Sequence, residues 1–576
     1  MIYRLVPLPV LFLLIAAVVG TGATAAVEIA PEPSVGDRGV MHTAVEGNRI
    51  DEIPVSYVGV QRDLIGPGYD VHLIQLEGPI ADRVGVAAGM SGSPVYFDGK
   101  LLGAMAYSFG ALPTEPIAGV TPIQDILRAS RGATTTATPK SSLVKPIGTP
   151  MQISGLTPVV RNWAAPQLEQ LGFRLVAGGG TEDKSVPPTE LTAGSPVGVA
   201  LVRGDMSLAA TGTVTLVDGD TVYAFGHPFL GSGPVEMPMV SASVVHTLAD
   251  LAGSVKMASV GAEIGAILED RLTAIVGRKG HRAQLIPLDV EVKGADYGEQ
   301  QFHFEVARNS MLSPLLSAIS VANSLSSNVG YAQEVTMLTR GLIRVKGLPP
   351  IPLEAAGTSV GGGDPAIGVA VMVQQMLSSL WINPFDEVQL EGVEISVQVE
   401  PEVRRYEVQE LHYDRGPLRR GQTLTVDCVL RPYRGASVTR RFDLTIPEDL
   451  PPNARLALAV GSPDQVDRAL GQPLARRYRS AGDLAAVVDV LGDLRAANRL
   501  TAVIYHRASG VVSRGVAYSD LPPSAQKLLS ARPRSGGMTT TRVADLVRVD
   551  LVLDGPVDGG VVVSLRVDSG LENGDD

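Results

Sequence analysis

The chain contains 576 residues with a formal net charge of −12, and 45% of them are hydrophobic. This length is too great for one hydrophobic core and predicts several domains. The acidic balance argues against a nucleic-acid partner, because binding to a phosphate backbone needs a basic face. The only cysteine, Cys428, cannot form a disulfide within the chain or a cysteine cluster for zinc, and we expect neither a metal nor a cofactor. The 63 glycines and 41 prolines favour many short strands and turns.

Residues 1–25 have the composition of a secretory signal peptide. Arg4 is their only charge, an apolar run extends from Leu5 to Gly20, and Ala23-Thr24-Ala25 offers a cleavage site between small residues. No later apolar run is long enough to span a membrane. We therefore expect a secreted or periplasmic protein with no stable membrane insertion after the signal is removed.

Residues 35–130 are predicted to form one compact β unit, because short alternating runs are separated there by Gly, Pro and Asp. This unit carries the turn Gly89-Met90-Ser91-Gly92-Ser93-Pro94. Small residues on both sides of a serine let a carbonyl substrate approach and let backbone N–H groups turn inward as an oxyanion hole. A glycine-rich hairpin turn that contains two serines is the alternative interpretation. Residues 131–150 are rich in Thr, Ser and Pro and are predicted to be a linker.

Residues 151–383 are predicted to form a second β-rich unit with closing helices. A strand, an Asp-Gly turn and a second strand lead to His227, which lies between Gly226 and Pro228. We expect a helix over Val240–Leu251 and a later hairpin with Asp270 at its turn. Two segments with helical periodicity, 310–323 and 366–380, are expected to close the unit.

The pattern of predicted strands and turns changes after Pro384. Residues 384–460 have strand patterns at intervals of about ten residues, with turn signals between them, which is typical of an Ig-like β-sandwich. Residues 461–576 are predicted to be a small α+β region, with one helix near 481–498. We expect these C-terminal β domains to dock a substrate or a partner in the cell envelope.

A serine hydrolase needs a base within hydrogen-bond reach of the serine hydroxyl, and usually an acid that orients this base. Among the eight histidines, His42 and His227 each lie next to a turn at the end of a β run. His227 is the stronger candidate, because Gly226 and Pro228 restrict the backbone on both sides and leave the ring free.

Two stretches of the chain closely resemble the SpoIVB-type serine peptidases, the family of a sporulation signalling protease. They are GVAAGMSGSPVYFDGKLLGAMAY with the later PIAGVTPI, and GTVTLVDGDTVYAFGHPF with VGAEIGAILEDRLTAIVG. The resemblance implies that Ser91 is the nucleophile and His227 the base. It also implies a chymotrypsin-like double β-barrel for the first two units.

The order of the motifs differs from that of the sporulation protease, in which the Gly-His segment comes before the serine motif. Here Ser91 precedes His227. If each β unit is one barrel, exchanging their order leaves the interface between them intact, and catalytic triads recur in different chain orders. We therefore expect a mainly β protein with a permuted double barrel. A PDZ-like module before the serine is not evident, so substrate and regulation do not follow from the resemblance.

Three carboxylates are candidates for the acid that is the third member of the site. Asp270 is favoured, since in a two-barrel site the base and its acid come from the same barrel. Glu77 and Asp82 lie in the stretch that matches the acid assigned in the sporulation protease. Backbone N–H groups near Gly89 and Ser91 are the expected oxyanion donors, and the second serine of the motif is expected to support the turn.

The sequence thus predicts a secreted serine endopeptidase that hydrolyses peptide bonds of a protein or peptide substrate, with self-cleavage near a linker such as 131–150. The alternative is a non-catalytic binding or scaffold protein of the cell envelope that keeps the peptidase fold.

Overall fold

A computed structural model describes residues 27–567, except for 111–114, 132–143, 179–185, 187–189, 295–297, 328–333, 361–362, 451–454, 472–473, 480, 507–509, 514–515, 519–521, 523, 526–538 and 542–543. The expected signal peptide, residues 1–25, and most of the expected linker lie outside the described residues. The described part of the chain is mainly β.

Among its described residues, the first unit contains seven strands and two short helices. Its elements are β1 (Arg38–Glu46), β2 (Arg49–Gly66), β3 (Tyr69–Leu76), α1 (Gly78–Val84), β4 (Pro94–Phe97), β5 (Lys100–Phe109), β6 (Ile117–Pro122), α2 (Ile123–Ala129) and β7 (Val144–Pro146). The strand β7 shows that the end of the segment expected to be a linker is ordered.

The second unit is larger. Its elements are β8 (Thr149–Ser154), α3 (Pro158–Gln170), β9 (Phe173–Ala177), β10 (Pro196–Gly204), β11 (Ser207–Asp218), β12 (Thr221–Ala224), β13 (Gly233–Leu248), β14 (Val255–Arg271), β15 (Ala274–Lys279), β16 (Leu285–Gly294), β17 (Gly298–Ala307), α4 (Ser313–Ser326), β18 (Thr336–Val345), β19 (Ile351–Thr358), α5 (Pro365–Trp381) and β20 (Leu390–Glu400). The two predicted closing helices correspond to α4 and α5.

The C-terminal part completes the described chain. Its elements are β21 (Tyr406–Tyr413), β22 (Thr423–Pro432), β23 (Val438–Thr445), β24 (Leu456–Gly461), α6 (Pro463–Ala469), α7 (Leu474–Arg479), α8 (Leu484–Gly492), β25 (Arg499–His506), β26 (Gly510–Ser513), β27 (Val516–Tyr518), β28 (Thr539–Thr541), β29 (Ala544–Val552), β30 (Val557–Asp558) and β31 (Gly560–Leu565).

Six strands of the first unit pair in a closed, entirely antiparallel ring. The order around the ring is β1, β2, β3, β6, β5 and β4, and β4 pairs back with β1. Alternation along the strands places one set of apolar side chains inside, as in β3, where Ile74 and Leu76 lie on one face and share a hydrophobic cluster. We call this element the serine ring.

Six strands of the second unit form another closed antiparallel ring, which we call the histidine ring. Its order is β10, β11, β12, β15, β14 and β13, and β13 pairs back with β10. Numbered from its own first strand, each ring has the same order: first, second, third, sixth, fifth, fourth. The connection from the third strand to the fourth must therefore cross one end of each ring.

The two rings pack directly against each other. A buried apolar cluster joins Leu101, Ala104 and Ile123 of the first unit to Tyr223 and Val276 of the histidine ring. Burial of this surface on both sides removes apolar area from water and stabilises the docked pair.

The histidine ring belongs to a thirteen-stranded sheet that continues on one side through β17, β16, β20, β18 and β19. Helices α4 and α5 pack on each other and share one hydrophobic core with these strands. The strand β20 pairs in parallel with β16 and antiparallel with β18. The expected boundary at 383/384 is therefore wrong, because the next strand continues the sheet of the second unit.

The helix predicted over Val240–Leu251 is also wrong. These residues form the second half of β13, which pairs with β14 along most of its length. Apolar residues at Val240, Val244 and Leu248 match a helical spacing, but the pairing with two neighbouring strands overrides this local pattern.

The C-terminal part forms two four-stranded sheets, with orders β23-β22-β21-β30 and β29-β25-β24-β31. Their buried side chains make one hydrophobic core, which includes Val426, Cys428, Leu458 and Ile504. The expected division at 460/461 is not seen, since strands from both sides of it share this core. The predicted helix near 481–498 is α8, and it packs against α5 and β19 of the second unit.

Among the helices of the described chain, none combines the length and the apolar character that crossing a membrane requires.

Candidate active site

The serine turn lies on the third-to-fourth connection of the serine ring. Ser93 N–H donates to the carbonyl of Met90 (3.0 Å), which closes a tight turn around Ser91. Gly89 and Gly92 have φ of +92° and +95°, a region that favours glycine. A Cβ atom at Gly92 would clash with backbone atoms of the histidine ring, so the close approach of the two rings also requires glycine here.

The carbonyl groups of this turn are held from the opposite ring. The backbone N–H of Thr213 donates to the carbonyl of Ser91 (2.9 Å). The hydroxyl of Thr213 donates to the carbonyl of Gly89 (2.9 Å), and the hydroxyl of Thr215 donates to that of Gly92 (2.8 Å). Strand β11 of the histidine ring therefore helps to shape the turn that carries the serine.

Ser91 is fully buried, with 0% of its surface exposed. Among the described residues, its hydroxyl oxygen has no hydrogen-bond partner. Within the described part of the chain, no hydrogen bond engages the backbone N–H of Ser91 or of Gly89. The turn thus carries an unpaired hydroxyl and two unpaired N–H donors in close sequence, as an oxyanion hole requires.

His227 lies on the third-to-fourth connection of the histidine ring, the same position that Ser91 occupies in the serine ring. The ring Nδ1 atom lies 2.8 Å from the carbonyl oxygen of Pro228. A carbonyl oxygen only accepts hydrogen bonds, so Nδ1 carries the proton and Nε2 carries the lone pair. Nε2 is buried and makes no hydrogen bond to any other described residue, so its lone pair is free in the way that a general base needs.

The environment keeps His227 neutral. Only 2% of its surface is exposed, and this burial lowers its pKa to about 4, because a charged imidazolium loses its hydration. The carbonyl groups of Pro228 and Ile147 oppose the shift, since they favour a protonated ring. His227 is therefore a neutral base at physiological pH.

Asp270 is buried beside the loop that follows His227. Its carboxylate accepts hydrogen bonds from the N–H groups of Phe229 (2.8 Å), Leu230 (2.8 Å) and Ser232 (3.1 Å). Burial raises its pKa, and these N–H groups oppose the rise. No hydrogen bond of the described residues joins Asp270 to the ring of His227. Asp270 thus holds the histidine loop, and the carbonyl of Pro228 orients the ring.

The other candidate residues lie outside this buried contact. Glu77 lies 3.9 Å from Arg38 in a partly exposed ion pair, and Asp82 is exposed on α1. His42 lies 3.6 Å from the carboxylate of Glu52. The structure therefore places Ser91, His227 and Asp270 near the seam between the rings, and it places Glu77 and Asp82 away from it.

Sequence reasoning missed Lys256 on β14, which is 3% exposed. Its ammonium group donates to the hydroxyl of Thr43 (2.7 Å) and lies 3.4 Å from that of Thr213. The signal was present in the alternation of β14, where Lys256 shares a strand face with the buried Ala258 and Val260.

A cleft of about 510 Å³ lies elsewhere, on the part of the large sheet formed by β16, β17, β18 and β20. Asp289, His303, Arg340 and Glu394 are among its lining residues. Among the described residues, no three His, Cys, Asp or Glu side chains come close enough to hold a metal ion together.

Comparisons with protein-family models, with curated proteins and with solved structures found no match to this chain. The resemblance to SpoIVB-type peptidases therefore stands on the two motifs quoted above.

Proposed function

We propose that this protein is a serine endopeptidase in which Ser91 is the nucleophile and His227 the general base. The observation that carries the proposal is a pair of unpaired buried atoms, Ser91 Oγ and His227 Nε2, at equivalent positions of two rings that contact each other. A buried polar atom without a partner costs about 1–3 kcal/mol. Two such atoms, on the two segments that resemble a peptidase, favour a catalytic role over a purely structural one.

The matching strand order of the two rings supports a double β-barrel of the chymotrypsin-like kind, with the serine barrel first in the chain. Each catalytic side chain would then come from the same connection of its own barrel. The seam between the barrels would form the active site, as in other two-barrel hydrolases.

The chemistry follows from the proton positions. Ser91 Oγ forms a bond to the peptide carbonyl carbon while His227 Nε2 takes the hydroxyl proton. The N–H groups of Gly89 and Ser91 stabilise the oxyanion. The proton then passes from His227 to the leaving amine as the C–N bond breaks. Water, deprotonated by His227, hydrolyses the resulting ester and restores Ser91.

Asp270 contributes to this site as a positioning residue. Its carboxylate holds the loop of Phe229, Leu230 and Ser232 through three N–H groups. This loop fixes the carbonyl of Pro228, which in turn selects the tautomer of His227.

A substrate needs access that the described arrangement does not provide, since Ser91 and His227 are both buried. The proposed enzyme therefore opens the seam, or shifts the serine turn, before it binds a peptide. A closed site fits a peptidase of narrow specificity, and self-cleavage within 131–150 is part of the proposal. We also propose that it acts in the periplasm or outside the cell, with its C-terminal sandwich docking a substrate or an envelope partner.

The second candidate function is a scaffold that keeps the peptidase fold without turnover. The burial of both side chains and the absence of a hydrogen bond between Ser91 and His227 favour it. The two candidates differ in one property, which is whether the Ser91 hydroxyl reacts.

Labelling with a fluorophosphonate probe tests this property. We expect the mature chain to react, S91A to lose the label completely, and H227Q to react roughly 10⁴–10⁶-fold more slowly, the range seen when a triad member is removed. S93A should still be labelled, although more slowly if Ser93 supports the turn, because it removes the neighbouring hydroxyl and keeps Ser91. A chain that is neither labelled nor able to cleave itself or a broad peptide library would establish the scaffold. A label lost in S93A and kept in S91A would move the nucleophile to Ser93.

A further inference from the structure

Lys256 is a buried cation without an ion-pair partner. No carboxylate among the described residues lies within ion-pair distance of its ammonium group. Its contacts are the hydroxyls of Thr43 in the serine ring and Thr213 in the histidine ring. Its aliphatic chain lies against Gly89, where an added Cβ would be 3.2 Å from the Cβ of Lys256. The lysine thus spans the seam beside the serine turn.

A chain of hydrogen bonds leads from Lys256 into this turn. Nζ lies 2.7 Å from Thr43 Oγ1, Thr43 Oγ1 lies 2.9 Å from Ser93 Oγ, and Ser93 Oγ lies 2.6 Å from the carbonyl oxygen of Met90. Thr43 and Ser93 are both fully buried. Water is therefore not needed to complete the chain.

These distances admit two proton orders. When Lys256 is protonated, Nζ donates to Thr43 Oγ1, which makes this oxygen a poorer acceptor for the Ser93 hydroxyl, and Ser93 donates to the carbonyl of Met90. When Lys256 is neutral, Thr43 donates to Nζ, Ser93 turns its proton to Thr43, and the carbonyl of Met90 loses this donor. The charge on Lys256 therefore decides whether the Met90 carbonyl accepts the Ser93 hydroxyl.

We propose that Lys256 is a positioning residue that controls the donor strength of the Ser91 N–H through Thr43, Ser93 and the Met90 carbonyl. Met90 C=O and Ser91 N–H belong to one peptide group. A hydrogen bond to the oxygen of a peptide draws electrons toward it and makes the N–H a stronger donor. The catalytic part of this inference rests on the proposed function. In the proposed peptidase, the N–H of Ser91 faces the oxyanion.

The proton state of Lys256 changes in an accessible range, because burial lowers its pKa to about 7. Asp51 on β2, which is paired with Arg49, is the charge that opposes this shift. The other titratable groups on adjacent strands are His42 on β1, beside Glu52, and the exposed His246 on β13. A pH-dependent change that these histidines cause would persist after Lys256 is replaced, so the substitution distinguishes their effect from that of Lys256.

The Ser91 amide can be observed alone. Labelling with [carbonyl-¹³C]methionine and [¹⁵N]serine selects Met-Ser peptide groups, and the chain contains only two, Met90–Ser91 and Met206–Ser207. We expect the Met90–Ser91 signal to move with pH around a midpoint near 7. The Met206–Ser207 signal is the internal reference and should not follow this midpoint.

Three substitutions test the path. K256M removes the charge, and T43V and S93A each break the chain while Lys256 remains, so all three should abolish the titration of the Ser91 amide. T247V is the matched control, because Thr247 pairs with Lys256 on β13 but lies outside the chain. A Met90–Ser91 signal that does not titrate in the wild type, or titrates unchanged in K256M, would overturn the proposal.

The catalytic consequence has its own measurement. The fluorophosphonate reaction of the wild type should slow as pH rises through about 7, and K256M should react roughly tenfold more slowly below that pH, less than the 10²–10³ lost when an oxyanion donor is removed outright. The reaction rate of K256M should not decline as pH rises above 7. If the wild type is not labelled, the peptidase proposal fails, while the amide titration still decides whether Lys256 controls the turn.

Discussion

The two rings share one strand order, yet their crossing segments are shaped in different ways. The serine turn receives three hydrogen bonds to its carbonyl groups from Thr213 and Thr215 of the other ring. The histidine loop is held by Asp270 of its own ring, and Thr121 of the serine ring donates to the carbonyl of Gly226 at its start. The histidine is thus set by its own ring, whereas the serine depends on docking.

This difference implies that the serine turn and the histidine loop should lose their structure under different perturbations. Opening the seam should disorder the serine turn and leave the histidine loop in place. Loss of the internal carboxylate should do the reverse. A change in the docking of the rings should therefore affect the serine turn first.

The largest effect is expected from G92A. The substitution places a Cβ in a left-handed conformation and against the backbone of Thr213 and Phe225. The strained conformation alone costs about 1–3 kcal/mol, and the clash must also separate the rings. We expect a lower melting temperature and increased hydrogen exchange on both faces of the seam.

G99A is the control for G92A. Gly99 also has positive φ, but its added Cβ would meet nothing within 4 Å. It should show the conformational cost without loss of docking. Equal exchange at the seam in G92A and G99A would contradict the role that we give to close approach.

D270A should have the next largest effect. Three N–H groups, of which that of Phe229 is buried, lose their acceptor, and the buried one alone costs roughly 1 kcal/mol or more. Hydrogen exchange should increase in 226–232 and much less in 88–93. E269Q is the control, because Glu269 is the neighbouring carboxylate and forms a partly exposed pair with Arg271. Unchanged exchange in 226–232 would show that Asp270 does not hold the loop.

A smaller, pH-dependent effect is expected from His227. Its folded-state pKa of about 4 lies below the ordinary value of 6.5, so the unfolded chain binds a proton that the folded chain refuses. Stability should therefore fall as pH decreases from about 6.5 toward 4, by about 1.4 kcal/mol per unit within that window. Above pH 6.5 the residue should contribute no slope.

The measurement is denaturation of the wild type and H227Q across pH 4 to 7. The difference between the two should show the slope, since other groups titrate in both. H412Q, at an exposed histidine, should keep the wild-type profile. A wild-type slope that persists in H227Q would assign it to another residue.

Much of the local structure could be predicted from the residues. The strands of the first unit and the helices α4 and α5 follow from local patterns, because alternation and helical spacing can be read from neighbouring residues. The turns that carry the two motif residues are marked by the glycines beside them. The second half of β13 could not be predicted, because its apolar spacing fits a helix and only its strand partners decide otherwise. The boundary near residue 384 failed for the same reason, since parallel pairing of β20 with β16 leaves no local signal.

The sequence alone determined which candidate reactive groups the chain contains: a serine among small residues, a histidine between glycine and proline, and nearby carboxylates. Tertiary structure decided which of these groups meet. It placed Ser91 and His227 on equivalent connections of two rings that pack together, paired Asp270 with the loop after His227, set the Pro228 carbonyl against the ring of His227, and placed Lys256 beside the serine turn. The reason is that residue type sets what a group can donate or accept. Closure of two six-stranded rings sets which groups lose their water together.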